Sequence, residues 1–207
     1  MPIVFFDRVV NEINTHKVIV DSYRGACDAT THLVRNGYKH IAAIANNEVL
    51  SITKDRVAGY RAALADNGIR EKEQFIEYCD HGGLVLDEVE KAVARLLSLK
   101  TRPDAIIALS DKLTTACLRI LKAHKIRVPE DIGLIGFSNS DLTELVDPPL
   151  SIIKQPAIEM GEIATKHLLQ LIESKRPVTD FETTVLAPQL IIRDSSASRK
   201  NPLAVSR

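Results

Sequence analysis

The groups in this chain that could do chemistry are six histidines, three cysteines and an even supply of carboxylates and cations. His16, His32, His40, His81, His124 and His167 never pair at metal-ligand spacing, so no metal site is expected. Cys27, Cys79 and Cys117 are far apart and form no Cys-x-x-Cys pair. None sits beside a basic cluster, so all three read as buried free thiols of a reducing compartment. The glycines make neither a Gly-x-Gly-x-x-Gly turn nor a Walker phosphate loop, and no Gly-x-Ser-x-Gly elbow is present. Gly133 and Gly136 fall inside a strand pattern, where close packing explains them. An enzyme is therefore not expected, and no cofactor is implied.

Binding groups are better placed than catalytic ones. Asp7 follows a short apolar strand, at the carboxyl end where doubly wound sheets place ligands. Ser110 and Asp111 stand where another strand gives way to a helix, and Asp111 could equally cap that helix. Arg56 opens a helical pattern, where the macrodipole disfavours a cation. Its fixed guanidinium fork suits a polyol or a carboxylate.

These residues are positioned by alternating short β-branched runs and amphipathic segments, the pattern of parallel-sheet βα units. Strands are expected at 3–6, 18–20, 41–45, 75–78, 105–109, 133–137, 151–153, 183–186 and 190–192. Helices are expected at 26–35 (closed by Gly37), 56–66 (closed by Asn67-Gly68), after an Asp87 cap, after an Asp111 cap up to the Pro129 break, and at 157–173. From Ser195 the chain turns polar and reads as a frayed tail.

At 207 residues the chain is long enough for one large domain or two small lobes. Its 27 basic and 27 acidic side chains cancel, so this segment alone is not expected to read DNA. No apolar run approaches a membrane span, and the first residues show no leader pattern, so a cytoplasmic location is expected.

Five segments in register add a family resemblance: Pro2 to Arg8 (PIVFFDR), Val20 to Ile41 (VDSYRGACDATTH, then NGYKHI), Arg56 to Leu64 (RVAGYRAAL), Ile126 to Asn139 (IRVPEDIGLIGFSN) and Pro148 to Pro156 (PPLSIIKQP). In that order and spacing, from Pro2 to about Asp194, they resemble the effector-binding region of LacI/GalR-type bacterial transcriptional regulators. The resemblance implies an α/β fold like that of periplasmic binding proteins: two doubly wound parallel-sheet lobes joined by three crossovers, with a small molecule bound between them. The crossovers would fall near Asp21 to Tyr23, Ile153 to Gln155, and Pro188. Residues 1–20 and 156–187 would be a remnant of the N-terminal lobe, 21–155 and 188–195 the C-terminal lobe, and 196–207 a polar tail. The first lobe would be incomplete and the DNA-binding headpiece missing, so the chain looks like a fragment or the product of an internal start. An apolar edge at Ile3 to Phe6 would then favour self-association.

The resemblance also implies site residues. Arg56 matches the effector-binding arginine between the lobes, and Asp7 would accept hydrogen bonds from effector hydroxyls. His81 matches a position where an aromatic ring often covers the ligand, and Gln155 is a further candidate; Ser110 is a candidate contact by its place beside Asp111. Ser138 departs from the pattern: many members carry an aspartate there, and serine supplies no charged acceptor. Asn139 is retained and substitutes in part. The implied partners are a small-molecule effector (a sugar favoured over a purine), a second subunit in a homodimer, and operator DNA reached only through the headpiece. The alternative of the same fold is a solute-binding protein of a sugar transporter.

Overall fold

The computed structural model describes residues 1–10, 12–174 and 178–197. Six strands form the larger sheet, in spatial order β4-β3-β5-β6-β7-β9. In chain order they are β3 (Ile41–Asn46), β4 (Ile76–Cys79), β5 (Ala105–Ala108), β6 (Gly133–Phe137), β7 (Ser151–Lys154) and β9 (Gln189–Ile191). All pairs are parallel except β7 with β9. Every residue of β3, β5 and β6 is buried, which is why these strands are continuous apolar runs: helices cover both faces.

Alternate residues divide between those faces. Ala42, Ile44, Ile106, Ala108 and Leu134 pack with α3 (Leu86–Ser98) and α4 (Asp111–Ala123) through Val89, Val93, Leu96, Leu113 and Leu121. Ile41, Ala43, Ile107, Ile135 and Phe137 pack with α1 (Ser22–Arg35) and α2 (Ser51–Asp66) through Ala26, Leu33, Val57, Tyr60 and Leu64.

A second, three-stranded parallel sheet has the order β1-β2-β8: β1 (Phe5–Phe6), β2 (Lys17–Val20) and β8 (Thr183–Leu186). Its core is small. Val18 and Val20 pack on Met160 and Ala164 of α5 (Ala157–Glu173), with Val4, Ile163 and Leu186 partly buried around them. The chain passes between the sheets three times: after β2, between β7 and α5, and between β8 and β9.

Several expectations need correction. The first strand pairs only at Phe5–Phe6. Helix α2 begins at Ser51, not Arg56, after an N-cap residue, Leu50, that offers no side-chain bond. Without a polar cap the boundary left no trace in the sequence, and Arg56 lies in the second turn, buried. Asp87 does not cap α3: Val85 holds that position, and Asp87 with Glu88 lies in the first turn, where negative charge suits the helix dipole. Asp111 is likewise the first helical residue of α4, not its cap, which is Ser110.

The chain does not fray at Ser195. Ser195 and Ser196 are buried in a short 3-10 turn, Asp194–Ser196. Ser195 accepts from the Ser151 N–H at 2.8 Å and donates to the Leu134 carbonyl at 2.6 Å, while Ser151 and Ser196 hydroxyls meet at 2.6 Å. The Ser195 hydroxyl satisfies main-chain groups of β7 and β6, and the Ser196 hydroxyl meets the side chains of Ser151 and His32, so polar composition did not mean exposure. The rest of the expected tail, 198–207, lies outside the described residues.

Candidate functional site

Parallel strands deliver the residues after their C-terminal ends to one rim of a sheet. Here that rim faces the end of β1, and between them lies a cleft of about 420 Å³. Arg8 lines it from the three-stranded side. Asn46 (end of β3), Asp80, His81 and Gly82 (after β4), and Ser110, Asp111 and Lys112 (after β5) line it from the other, with Leu50 and Leu84 as apolar contacts.

The wall is held from behind. Glu88, in the first turn of α3, accepts from the main-chain N–H groups of Asp80 at 2.6 Å and His81 at 3.1 Å. The His81 ring lies 3.5 Å from the same carboxylate. Gly83, at φ +90°, lets this loop approach α4; a Cβ there would lie 2.8 Å from the Lys112 main chain. Asn46 accepts from the Ser110 hydroxyl at 3.0 Å, joining the ends of neighbouring strands. Asp80 accepts from the Asn47 amide at 2.8 Å.

Of the residues expected from sequence, His81, Ser110 and Asp111 line this cleft. Asp7 sits beside it in the left-handed conformation, φ 62°, its N–H donating to the Val18 carbonyl at 3.0 Å. Ser138 is buried behind Asp111 and donates to it. Asn139 and Gln155 bind each other reciprocally: the Asn139 amide donates to the Gln155 carbonyl at 2.7 Å and accepts from its N–H at 2.9 Å. That pair ties the end of β6 to the crossover into α5.

Arg56 is 4% exposed. Its guanidinium donates to Ser22 Oγ at 3.3 Å, the Leu109 carbonyl at 2.8 Å and Gln155 Oε1 at 3.4 Å, and stacks on Phe137 at 3.8 Å from the ring centre. Burial lowers its pKa to about 10, partly opposed by the Asp7 carboxylate. It therefore remains cationic at neutral pH while joining two crossovers, and it is not among the residues that line the cleft.

Sequence reasoning missed Asn46, Asp80, Arg8 and Lys112. A signal existed for Asn46, which closes the apolar run IAAIAN much as Asp7 follows its own strand. Among the described residues, no three His, Cys, Asp or Glu side chains group to hold a metal ion, and no helix is long and apolar enough to cross a membrane.

The family model for a periplasmic binding protein-like domain matches residues 30–196. The ribose operon repressor of Haemophilus influenzae is 31% identical over 202 residues, covering 97% of this chain and 59% of the repressor. The transcriptional repressor CytR of Escherichia coli K12 is 33% identical over 195 residues, covering 94% of this chain and 56% of CytR. In a solved complex of the transcriptional regulator CelR with cellobiose, the regulator superimposes with a TM-score of 0.83 at 31% identity, covering 93% of this chain and 58% of that one. The chain thus spans a little over half the length of these relatives, all of them transcriptional regulators. With its parallel sheets and its rim of strand ends facing a second sheet, the chain belongs to the periplasmic binding protein-like domain family, in the form carried by LacI-type transcriptional regulators.

Proposed function

We propose that the chain is the effector-sensing region of a LacI-type regulator, binding a small neutral molecule in the cleft between its two sheets. The observation behind this reading is the composition and place of the cleft. Asn46, Asp80, His81, Ser110 and Asp111 offer several hydrogen-bonding groups at the C-terminal ends of adjacent parallel strands, with Arg8 opposite. Such a wall suits a ligand with many hydroxyls, and a sugar is favoured over a purine. The ribose repressor and the cellobiose-bound regulator support that choice by kinship.

Residues 1–20 and 156–187 act as the first lobe, and 21–155 with 188–195 as the second. Closure on the effector moves one against the other about the crossovers tied by Arg56, Asn139 and Gln155. In the intact protein, a cytoplasmic homodimer, that movement alters operator affinity through a DNA-binding headpiece. A coupling of about 1–3 kcal/mol changes affinity by an order of magnitude. Sensing is favoured over catalysis because Ser110 donates to an amide oxygen, not to a base that could activate it.

Thermal unfolding against D-ribose, D-glucose, cellobiose, adenosine and hypoxanthine tests this. A ligand at roughly a hundred times its Kd stabilises by about 2.7 kcal/mol, or about 5–11 °C for a chain of this size. A rise with a sugar, lost when Asn46 is replaced by alanine, is the expected result. No rise with any of the five sinks the reading.

A further inference from the structure

Ser138 stands at the C-terminal end of β6, 1% exposed. Its oxygen accepts from the Ser140 N–H at 3.1 Å, and its single proton is donated to Asp111 Oδ1. Asp111 does not cap α4 and forms no ion pair among the described residues. Its second carboxylate oxygen meets no described donor, yet the residue lines the cleft. Beside it, the Ser110 proton is committed to Asn46 Oδ1, which leaves the Ser110 oxygen as an acceptor. The Asn46 amide nitrogen donates to no described residue. The wall therefore presents a donor from Asn46, a neutral acceptor from Ser110 and a charged acceptor from Asp111.

We propose that Asp111, oriented by Ser138, is the carboxylate that selects a hydroxyl-bearing effector, and that Ser138 is a positioning residue that never touches the ligand. This rests on the effector-sensing reading above. Ser138 holds one oxygen of Asp111, which fixes the rotation of the carboxylate and aims the other at the cleft. Charge-assisted bonds from hydroxyls to that oxygen are short and strong. An anionic ligand would meet repulsion at the same place. The selecting charge is thus supplied by the first residue of α4, and the buried serine behind it only sets its direction.

The test is calorimetric titration of the whole chain with D-ribose, cellobiose and adenosine, using Asp111→Asn, Ser138→Ala, the double variant and Ser138→Asp. Asp111→Asn is expected to weaken sugar binding about 10- to 100-fold, the range for losing a hydrogen bond to a charged group. Ser138→Ala should weaken it about 3- to 10-fold. The double variant should bind within about 2-fold of Asp111→Asn, because the serine acts only through that carboxylate. Ser138→Asp sets two carboxylates against each other, so it should weaken binding as well. Melting of each unliganded variant checks that it folds, and the Asp111→Asn and Ser138→Ala cycle decides the matter if Ser138→Asp does not. Tighter binding by Ser138→Asp, or additive losses in the double variant, would overturn the proposal by putting position 138 itself on the ligand. If the unaltered chain binds a sugar and Asp111→Asn binds it equally well, this inference alone falls. If the unaltered chain binds none of the three probes, it falls together with the sensing reading.

Discussion

The six-stranded sheet is sandwiched between two pairs of helices, while the three-stranded sheet leans on a single described helix, α5. The first sheet buries whole strands. The second leaves Phe6 56% and Val185 55% exposed, with Ile158 of α5 82% exposed beside it, and Phe5–Phe6 is only a two-residue edge. Burial of apolar area is the main favourable term in folding, so the two regions should differ in stability although they share strand type and direction. Local opening is expected to reach the small sheet first. In hydrogen exchange, amides of β3, β5 and β6 should outlast those of β1, β2 and β8.

Cavity-forming substitutions are the strongest way to break that comparison. Leu96, on α3, has no exposed surface and packs with α4 and the large sheet. Leu96→Ala is expected to cost about 3–5 kcal/mol. Met160, in the small core of α5 and β2, has a flexible side chain and few buried neighbours. Its replacement by alanine should cost about 2 kcal/mol or less, because the site can collapse. Urea titrations of both variants check the difference, and equal losses would mean that the two sheets share one cooperative core.

Glycines sharpen the same contrast at about half the size. A Cβ at Gly136 in β6 would run into Thr114 Oγ1 and the Ala108 carbonyl, so the strand and α4 can approach only because that atom is missing. Gly136→Ala should destabilise by about 1–3 kcal/mol. Gly161 in α5 has nothing within 4 Å of its would-be Cβ. There, alanine should stabilise by about 0.5–1 kcal/mol through better helix propensity. Thermal melts of the two variants should move in opposite directions.

How much of this was legible in the sequence follows the same divide between buried pattern and tertiary circumstance. Gly133–Phe137, Thr183–Leu186 and Ala157–Glu173 stand where periodicity puts them. Strands buried on both faces must be short apolar runs, and α5 must follow Pro156. The start of α2 was hidden because Leu50 carries no capping oxygen and the first turn, Ser-Ile-Thr-Lys-Asp, is mostly polar. Ser195 and Ser196 looked like a tail because composition cannot show that Ser151 and Leu134 wait for their hydroxyls. In the site, strand-end logic found Ser110 and Asp111. The support of Asp111 by Ser138 joins residues 27 apart in the chain, and no local pattern encodes such a contact.

The exposed apolar edge gives a smaller effect, read in association state and not in stability. Among the described residues, both outer strands of the small sheet, β1 and β8, have one unpaired side, and their exposed Phe6 and Val185 favour pairing with another chain. The unaltered chain is expected to show concentration-dependent association in light scattering. Val185→Lys should reduce it while leaving the melting temperature within a few degrees. A monodisperse monomer at all concentrations would show that the open edge has no such consequence.

Acid should touch both regions, modestly and through different histidines. In the small sheet, His16 stacks on His167 with ring centres 4.4 Å apart, and Phe181 meets it edge-on. Its Nδ1 accepts from the Glu182 N–H at 3.0 Å. Burial, and then the nearby His167, hold its pKa below the ordinary value, with Glu182 opposing. Beside the large sheet, His32 is lowered by burial, and its Nε2 meets the Ser196 hydroxyl at 2.8 Å. In both cases the folded state favours the neutral ring, whereas the unfolded chain takes up a proton near pH 6.5. The resulting stability is present above that pH and is lost as pH falls through the lowered folded pKa values. Melting temperature should therefore decline between about pH 7 and 5, and His16→Leu and His32→Leu should each remove part of the decline. Because the small sheet has less other stability to lose, acid should expose β2 to hydrogen exchange before β6. Simultaneous exposure of the two strands would instead mean that the sheets unfold as one unit even where their cores are unequal.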